Sequence, residues 1–164
     1  MIRIAITAAL AVVPLALAAC TPHSADGSTA SATSTPAVHP VSGLKIIPLT
    51  VTHAGQPHTF RVEVAATPGQ QEQGLMFRTA MGADEGMIFP MEPPRGASFW
   101  MRNTVIPLDL VYVGTDGRIS NIAANAVPYS ETPLLSAGLV KGVLELNGGR
   151  AAQLGIVAGD KVNW

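Results

Sequence analysis

The chain has 164 residues, of which eleven are acidic and ten are basic, and this length suits one domain with additional segments. Nucleic-acid binding depends on clustered lysine and arginine, and no run of like charge occurs, so the composition argues against a nucleic-acid partner. The single cysteine excludes an intramolecular disulfide, so the fold depends on its apolar core.

The first 19 residues predict a signal peptide. Arg3 provides a positive start, and residues 4–19 carry no charge. This uncharged run is shorter than the about 20 residues that a helix needs to cross a membrane. Its length is that of the hydrophobic region of a signal peptide.

The segment ends at Leu17-Ala18-Ala19-Cys20, which resembles the lipobox of bacterial lipoproteins. The resemblance implies cleavage before Cys20 and lipidation of its thiol and its new amino group. Several acyl chains on one residue anchor a protein stably to a membrane. An ordinary secreted protein with a chance cysteine is the alternative. Thr21 follows in place of aspartate, which resembles an outer-membrane sorting signal, so we expect the periplasmic face of the outer membrane in a bacterium with two membranes.

Residues 20–42 form the predicted tether after the lipidated cysteine. They are rich in Ser, Thr, Ala and Pro and include one acidic and no basic residue. Such a composition cannot bury enough apolar surface to offset chain entropy, so the segment is predicted to be disordered. We expect His23 and His39 to be solvated there, and we expect one folded domain over residues 43–164.

The domain opens with two predicted strands, residues 46–52 and 59–66, joined by a turn at residues 53–56. Thr67-Pro68-Gly69-Gln70 then predicts a helix start, because threonine can cap, proline suits the first position and Gln70 completes the spacing of a capping box.

Further short strands follow the predicted helix. A Pro-Pro-Arg-Gly bend separates the first two of them, and Thr115-Asp116-Gly117 indicates a hairpin between the next two. The pattern favours an α+β class: a β-rich compact domain with a curled antiparallel sheet or small barrel and two short helices. The remaining predicted elements are strands at residues 86–91, 97–104, 108–113, 118–127, 143–146 and 161–164, and a helical turn at residues 150–155.

Sequence signatures of common catalytic sites are absent. No Gly-x-Ser-x-Gly elbow, phosphate-binding Gly-x-x-x-x-Gly-Lys or His-Glu-x-x-His occurs. His53 and His58 flank one turn, but two imidazoles without an acidic neighbour make a poor zinc site. A serine paired with either histidine stays open, although no spacing supports it. No metal and no cofactor is predicted.

Residues 73–109 hold the most informative pattern. All five methionines after the signal peptide lie here, where they either fill an irregular core or line a soft ligand groove. In the predicted strand 99–104, alternation gives two faces of mixed character, so one of them is expected to line a cleft. The two faces consist of Phe99, Met101 and Asn103 on one side and Trp100, Arg102 and Thr104 on the other.

Asp109 lies in an otherwise apolar strand, and alternation places it with Val111 and Val113. A buried carboxylate needs a partner or becomes protonated. Arg78, Arg102 and Asn103 are the candidates. Either a structural ion pair with Arg78 or a functional site satisfies this need. We expect a ligand-binding cleft where four residues converge: Arg78, Trp100, Asn103 and Asp109.

Glu145 occupies a similar position within Val143-Leu144-Glu145-Leu146. It is the second buried carboxylate for which either a structural or a functional role is open.

The order of these motifs resembles the bacterial and archaeal domain of unknown function 192 family, from about residue 49 to residue 162. Arg102 stands where that family often has lysine. The resemblance implies a compact, β-rich, often exported domain without an assigned activity. The matching segments are residues 73–78, 86–89, 99–104, 106–109, 145–146 and 155–160.

Three functions remain open. The first is a non-catalytic, lipid-anchored module that binds a ligand or a partner in the envelope. The second is an envelope hydrolase with Asp109 and Glu145 as acid and base, which requires carboxyl groups about 5 to 10 Å apart. The third is a purely structural envelope protein, which needs no pocket.

Overall fold

The computed structural model describes residues 37–164. The predicted signal peptide, the predicted lipidation site Cys20 and the predicted tether up to residue 36 lie outside the described residues. In chain order the elements are β1 (Ile46–His53), β2 (Gln56–Val64), α1 (Pro68–Gln73), β3 (Glu85–Phe99), β4 (Leu108–Gly114), β5 (Ile119–Ala126), β6 (Leu134–Asn147), α2 (Arg150–Gln153) and β7 (Lys161–Asn163).

The strands form one seven-stranded sheet in the order β5-β4-β6-β3-β2-β1-β7. All neighbours are antiparallel except β2 and β3, which are parallel because α1 lies in their crossover connection. The two ends of the sheet approach each other, where Ile119 N donates to Asp160 O (2.9 Å) and Val162 N donates to Gly117 O (2.8 Å). The sheet is therefore curled into a half-barrel, as the α+β prediction requires, although it is mixed and not purely antiparallel.

The folded domain begins before the predicted boundary at residue 43. Ile46 N donates to Ala37 O (2.7 Å), and His39 N donates to Leu44 O (2.8 Å). The His39 side chain is 14% exposed and lies against Glu63, so the expectation that His39 is solvated is wrong. Backbone pairing with the residues just before β1 orders this segment despite its polar composition.

The start of α1 confirms the capping prediction. The Thr67 side chain accepts from Gln70 N, and the Gln70 side chain accepts from the Thr67 backbone. Both bonds satisfy N–H groups that have no partner within the helix.

The predicted division of β3 is wrong. The strand continues through the Pro-Pro-Arg-Gly segment, with register shifts between Pro90 and Arg95 and between Gly96 and Ser98. It pairs with β6 from Gly86 to Pro90 and again from Arg95 to Phe99, and β6 is much longer than the predicted residues 143–146. Residues 100–104 lie outside any strand, so the alternation expected for them does not hold.

Two apolar clusters lie on opposite faces of the sheet. The first takes residues from all seven strands and is closed by Ala151 and Ile156. The second consists mainly of residues from β3, β4 and β6 and is covered by Leu75 and Met101. Three of the five methionines, Met87, Met91 and Met101, are buried in this second cluster, as the core-filling interpretation predicts.

Candidate functional site

A pocket of about 410 Å³ opens on the second face of the sheet. The C-terminal end of α1 and the turn after it form one side, and the outer half of β3 with the following loop forms the other. Its apolar lining includes Leu75, Phe89, Met91 and Phe99, and Glu145 lines it from the central strand β6. We call this space the Glu145 pocket.

Aromatic rings form much of its wall. Phe89 and Phe99 meet edge to face, with ring centroids 5.1 Å apart and an angle of 87° between the planes. Tyr112 stands behind Phe99 at 6.4 Å and 81°. The Tyr112 hydroxyl donates to Leu134 O (2.7 Å) and is thereby committed to the backbone. Perpendicular rings of this kind pack tightly and present both faces and edges.

Trp100 stands at the mouth of the pocket and is 50% exposed. The Arg102 guanidinium lies 5.8 Å from the centre of its ring, within the range of a cation–π contact. Arg95, also exposed, lines the mouth from β3 and reaches the Gln71 side chain (3.4 Å). Both arginines are therefore near the entrance and available to solvent.

Glu145 is only 5% exposed, because β6 lies between β3 and β4. It is opposite Met87 on one neighbour and Leu110 on the other, so its carboxyl group shares a face with the second apolar cluster. No group in residues 37–164 donates a hydrogen bond to it, and burial alone raises the pKa of Glu145 to about 8. The same burial, together with the charge of Glu145, raises the pKa of Tyr112.

The Glu145 oxygens face the pocket and are not sealed into the core. Within the described residues, Arg150 Nε is the one side-chain nitrogen or oxygen that is fully buried and has no hydrogen-bond partner. The Glu145 oxygens also have no partner, but they are not among the fully buried atoms, so they keep some accessible surface. The cavity that Glu145 lines is the pocket. A ligand in the pocket can therefore reach this carboxyl group.

Asp109 differs from Glu145 in having a full set of partners. Its Oδ1 accepts from Asn125 N (2.8 Å) and Gly149 N (2.9 Å), and its Oδ2 accepts from Ala151 N (2.9 Å). Gly149 cannot cap α2 with a side chain, so Asp109 supplies this cap from β4. The predicted burial of Asp109 is confirmed at 0% exposure, but its expected partner Arg78 is wrong.

Arg78 binds Glu63. Its Nη1 donates to Oε1 (2.9 Å) and its Nη2 donates to Oε2 (3.1 Å), in the two-point geometry that a guanidinium and a carboxylate favour. The Ser42 hydroxyl donates to the same carboxylate. Glu63 is 3% exposed, so this is a buried ion pair whose acidic partner could not be identified from the sequence.

The four residues predicted to share one cleft do not all do so. Trp100 lines the Glu145 pocket, whereas Arg78 lines a separate cavity of about 630 Å³ beside Leu44 and Phe77. Asn103 adopts a left-handed backbone (φ 55°) and accepts at its carbonyl from Phe77 N (2.9 Å). Asn103 lines neither cavity.

Asp109 and Glu145 cannot act as an acid and base pair on one substrate. Asp109 is opposite Leu146, and Leu110 is opposite Glu145. Consecutive side chains of a strand point to opposite faces, so the two carboxyl groups lie on opposite sides of the sheet. The predicted hydrolytic pair is wrong for this reason.

Arg95 and Phe89 line the pocket although the sequence did not indicate them as parts of a site, whereas Phe99 belongs to a segment expected to line a cleft. Arg95 follows two prolines, so its segment was interpreted as a bend and not as a strand. No local signal places it near Glu145, because its partner in the β3–β6 pairing is Val140, 45 positions later in the chain.

Within residues 37–164 the histidines form no metal cluster, although His53 has an acidic neighbour that the sequence did not indicate. His53 Nδ1 lies 3.0 Å from Asp160 Oδ2, and Asp160 also accepts from Val157 N. No group of three or more His, Cys, Asp or Glu side chains within residues 37–164 could hold a metal ion. In the same part of the chain, the helices fall short of the length and apolar character needed to cross a membrane.

Comparison with known proteins identifies the family. The model of the domain of unknown function 192 family (DUF192), described as "Uncharacterized ACR", matches residues 49–164. The chain belongs to this family. None of the curated proteins compared with this DUF192 chain matches it significantly.

Two crystal structures resemble this DUF192 domain. A protein of unknown function from Novosphingobium aromaticivorans DSM 12444 is 62% identical, with a TM-score of 0.78 over 80% of this chain and 94% of that one. A Sinorhizobium meliloti 1021 protein, provisionally described as a transcription regulator, is 40% identical, with a TM-score of 0.71 over 73% of this chain and 94% of that one.

Proposed function

We propose that this DUF192 protein is a non-catalytic, lipid-anchored module of the cell envelope that binds a small ligand in the Glu145 pocket. The anchor is the lipid on Cys20, and the expected location is the periplasmic face of the outer membrane in a bacterium with two membranes. The sequence pattern Leu17-Ala18-Ala19-Cys20 supports the anchor. The geometry of the pocket supports the binding role.

The observation that carries the binding role is the unpartnered carboxyl group of Glu145. Burying a polar group without a partner destabilises a fold by roughly 1 to 3 kcal/mol, so a purely structural protein gains nothing from a glutamate here. A buried titratable group that lines an apolar pocket is typical of a binding site. A purely structural protein needs no pocket, so the presence of this pocket argues against that alternative.

Two other roles have less support. A hydrolytic role requires a second carboxylate beside Glu145. Asp109 does not supply it, because Asp109 lies on the opposite face of the sheet and caps α2. A role in transcription, as in the provisional description of the Sinorhizobium meliloti relative, has little support in the present chain. Its sequence contains no run of basic residues that could follow a phosphate backbone.

A fluorescence titration tests the binding role, because the chain contains two tryptophans and only Trp100 lines the pocket. Trp164→Phe leaves Trp100 as the only reporter. The whole protein in phosphatidylcholine nanodiscs is titrated with small ring-containing fragments, with empty nanodiscs as the blank. We expect some fragments to change Trp100 emission in a saturable way and to raise the melting temperature.

Trp164→Ala is the matched control for Trp100→Ala. Both rings are about half exposed, at 40% and 50%, and each has a cation nearby, Lys141 at 4.6 Å and Arg102 at 5.8 Å. Because Trp100→Ala removes the fluorescent reporter, binding to both variants is measured by calorimetry. We expect Trp100→Ala to weaken fragment binding about tenfold, which corresponds to about 1.4 kcal/mol, and Trp164→Ala to leave it unchanged. Equal effects of the two variants would contradict the assignment of the pocket.

Fractionation tests the anchor. We expect the Cys20→Ala variant to be released from membranes or to remain unprocessed. A variant that fractionates and migrates like the wild type would contradict lipidation.

A further inference from the structure

We infer that the ligand of the Glu145 pocket is an amine, an inference that rests on the proposed function of this pocket. The ammonium group binds the Glu145 carboxylate at the inner end, and an apolar ring or chain packs against Phe89, Phe99 and Trp100.

The first support is the missing counter-charge. Residues 37–164 contain two other acidic side chains under 5% exposed, and both are fully engaged: Glu63 by Arg78, and Asp109 by three backbone N–H groups. Glu145 has no such partner. Buried charges in proteins are paired, so the binding of a cation supplies what the protein itself does not.

The second support is the aromatic wall. Phe89 and Phe99 are perpendicular to each other, and Trp100 completes the lining toward the mouth. The faces of aromatic rings attract cations, and the recognition of alkylammonium groups commonly uses such rings. A neutral alcohol or amide would gain the apolar contacts but not this attraction.

The charged groups around Glu145 set the orientation of the ligand. Tyr112 approaches from β4 with its hydroxyl bonded to Leu134 O, Glu72 lines the pocket from α1, and Arg95 and Arg102 line the mouth. No lysine or arginine other than these two lines the pocket. The inner end therefore favours a cation, and the mouth tolerates an anionic substituent on the same ligand.

Binding of an ammonium group must be linked to proton release. Burial raises the pKa of Glu145 to about 8, so the carboxyl group is mostly protonated in the free protein at neutral pH. The ammonium binds the ionised form, so the Glu145 proton passes to solvent on binding. Below about pH 8 the affinity should therefore rise about tenfold per pH unit, and above it the affinity should level off.

Two probes of the same size test the inference: 2-phenylethylammonium chloride and 2-phenylethanol. Each is titrated against the whole protein in nanodiscs between pH 6 and pH 9, with Trp100 fluorescence and calorimetry as readouts. We expect the affinity for the ammonium probe to rise with pH and to exceed that for the alcohol at least tenfold at pH 8.5. Calorimetry in buffers of different ionisation enthalpy should show close to one proton released per probe bound at pH 6.5.

Glu145→Gln should abolish both the preference for the cation and its pH dependence. Glu92→Gln is the matched control, because this glutamate of β3 is exposed and is not part of the pocket lining, and the variant should keep both the preference and the pH dependence. The wild-type pH series needs no variant, so the test holds even if Glu145→Gln folds poorly.

The outcomes separate the two proposals. Binding of both probes with equal affinity and no pH dependence overturns the amine class and leaves the pocket as a binding site. Failure of both probes, and of all ring-containing fragments, to affect Trp100 overturns the binding role itself.

Discussion

Asp109 and Glu145 occupy neighbouring positions of the β4–β6 ladder, yet their carboxyl groups lie on opposite faces of the sheet. Asp109 accepts hydrogen bonds from three backbone donors, whereas Glu145 has no donor among residues 37–164 and lines a pocket. Two similar acidic residues in similar apolar strands therefore have different roles. Asp109 caps the N-terminal end of α2, and Glu145 provides the polar group of the proposed binding site.

The structural role of Asp109 predicts a large loss of stability on Asp109→Asn. The amide retains one acceptor oxygen for three N–H groups and turns its own N–H₂ toward a backbone donor. We expect the free energy of unfolding, measured with urea, to fall by roughly 2 to 4 kcal/mol. Probe binding in the Glu145 pocket should be unchanged in the folded variant. A loss of binding without a loss of stability would contradict the capping role.

Glu145 should make the wild type less stable as the pH rises. Its pKa is raised from 4.5 to about 8 in the native state, so between these values the native protein holds a proton that the unfolded chain has lost. The free energy of unfolding then falls with increasing pH, by up to about 1.4 kcal/mol per pH unit from this group. Below about pH 4.5 both states are protonated, and above about pH 8 both are ionised, so the slope vanishes.

Glu145→Gln isolates this effect, because the amide does not titrate. Urea unfolding of the wild type and Glu145→Gln from pH 5 to pH 8.5 should show a difference that moves steadily in favour of the variant. A constant difference across this range would mean that the carboxyl group of Glu145 is already ionised in the native protein near pH 5.

The Arg78–Glu63 pair predicts a contrast between two arginines. Arg78→Met leaves a carboxylate that is 3% exposed without its cation, and we expect a loss of about 3 to 5 kcal/mol. Arg102→Met removes a pair with Glu131 in which the arginine and glutamate side chains are 56% and 69% exposed, and here we expect less than about 1 kcal/mol. Thermal and urea unfolding measure both. Similar losses for the two variants would contradict the buried pair.

Local patterns in the sequence predicted the local parts of this structure. The α1 cap depends on Thr67 and Gln70 alone, and the β4–β5 hairpin depends on a turn in which Gly117 takes a positive φ of 79°. The burial of Asp109 followed from alternation along one strand. These features are set by residues within a few positions of each other.

The partners of buried charges could not be predicted in the same way. Asp109 is bonded to Gly149 and Ala151, about 40 residues later, and Arg78 is bonded to Glu63 across the β2–β3 crossover. The position of Glu145 over the pocket depends on strand register on both sides of β6. Non-local pairing of this kind leaves no periodic signal in the sequence.

The most direct test of the proposed site is the titration of the Glu145 carboxyl carbon by ¹³C NMR, assigned by comparison with Glu145→Gln. In the ligand-free protein we expect a midpoint near pH 8, which falls when 2-phenylethylammonium binds. A midpoint below about pH 5, close to that of an ordinary glutamate, would show that Glu145 is solvated or already paired, and it would contradict the unpartnered carboxyl group on which the binding role depends.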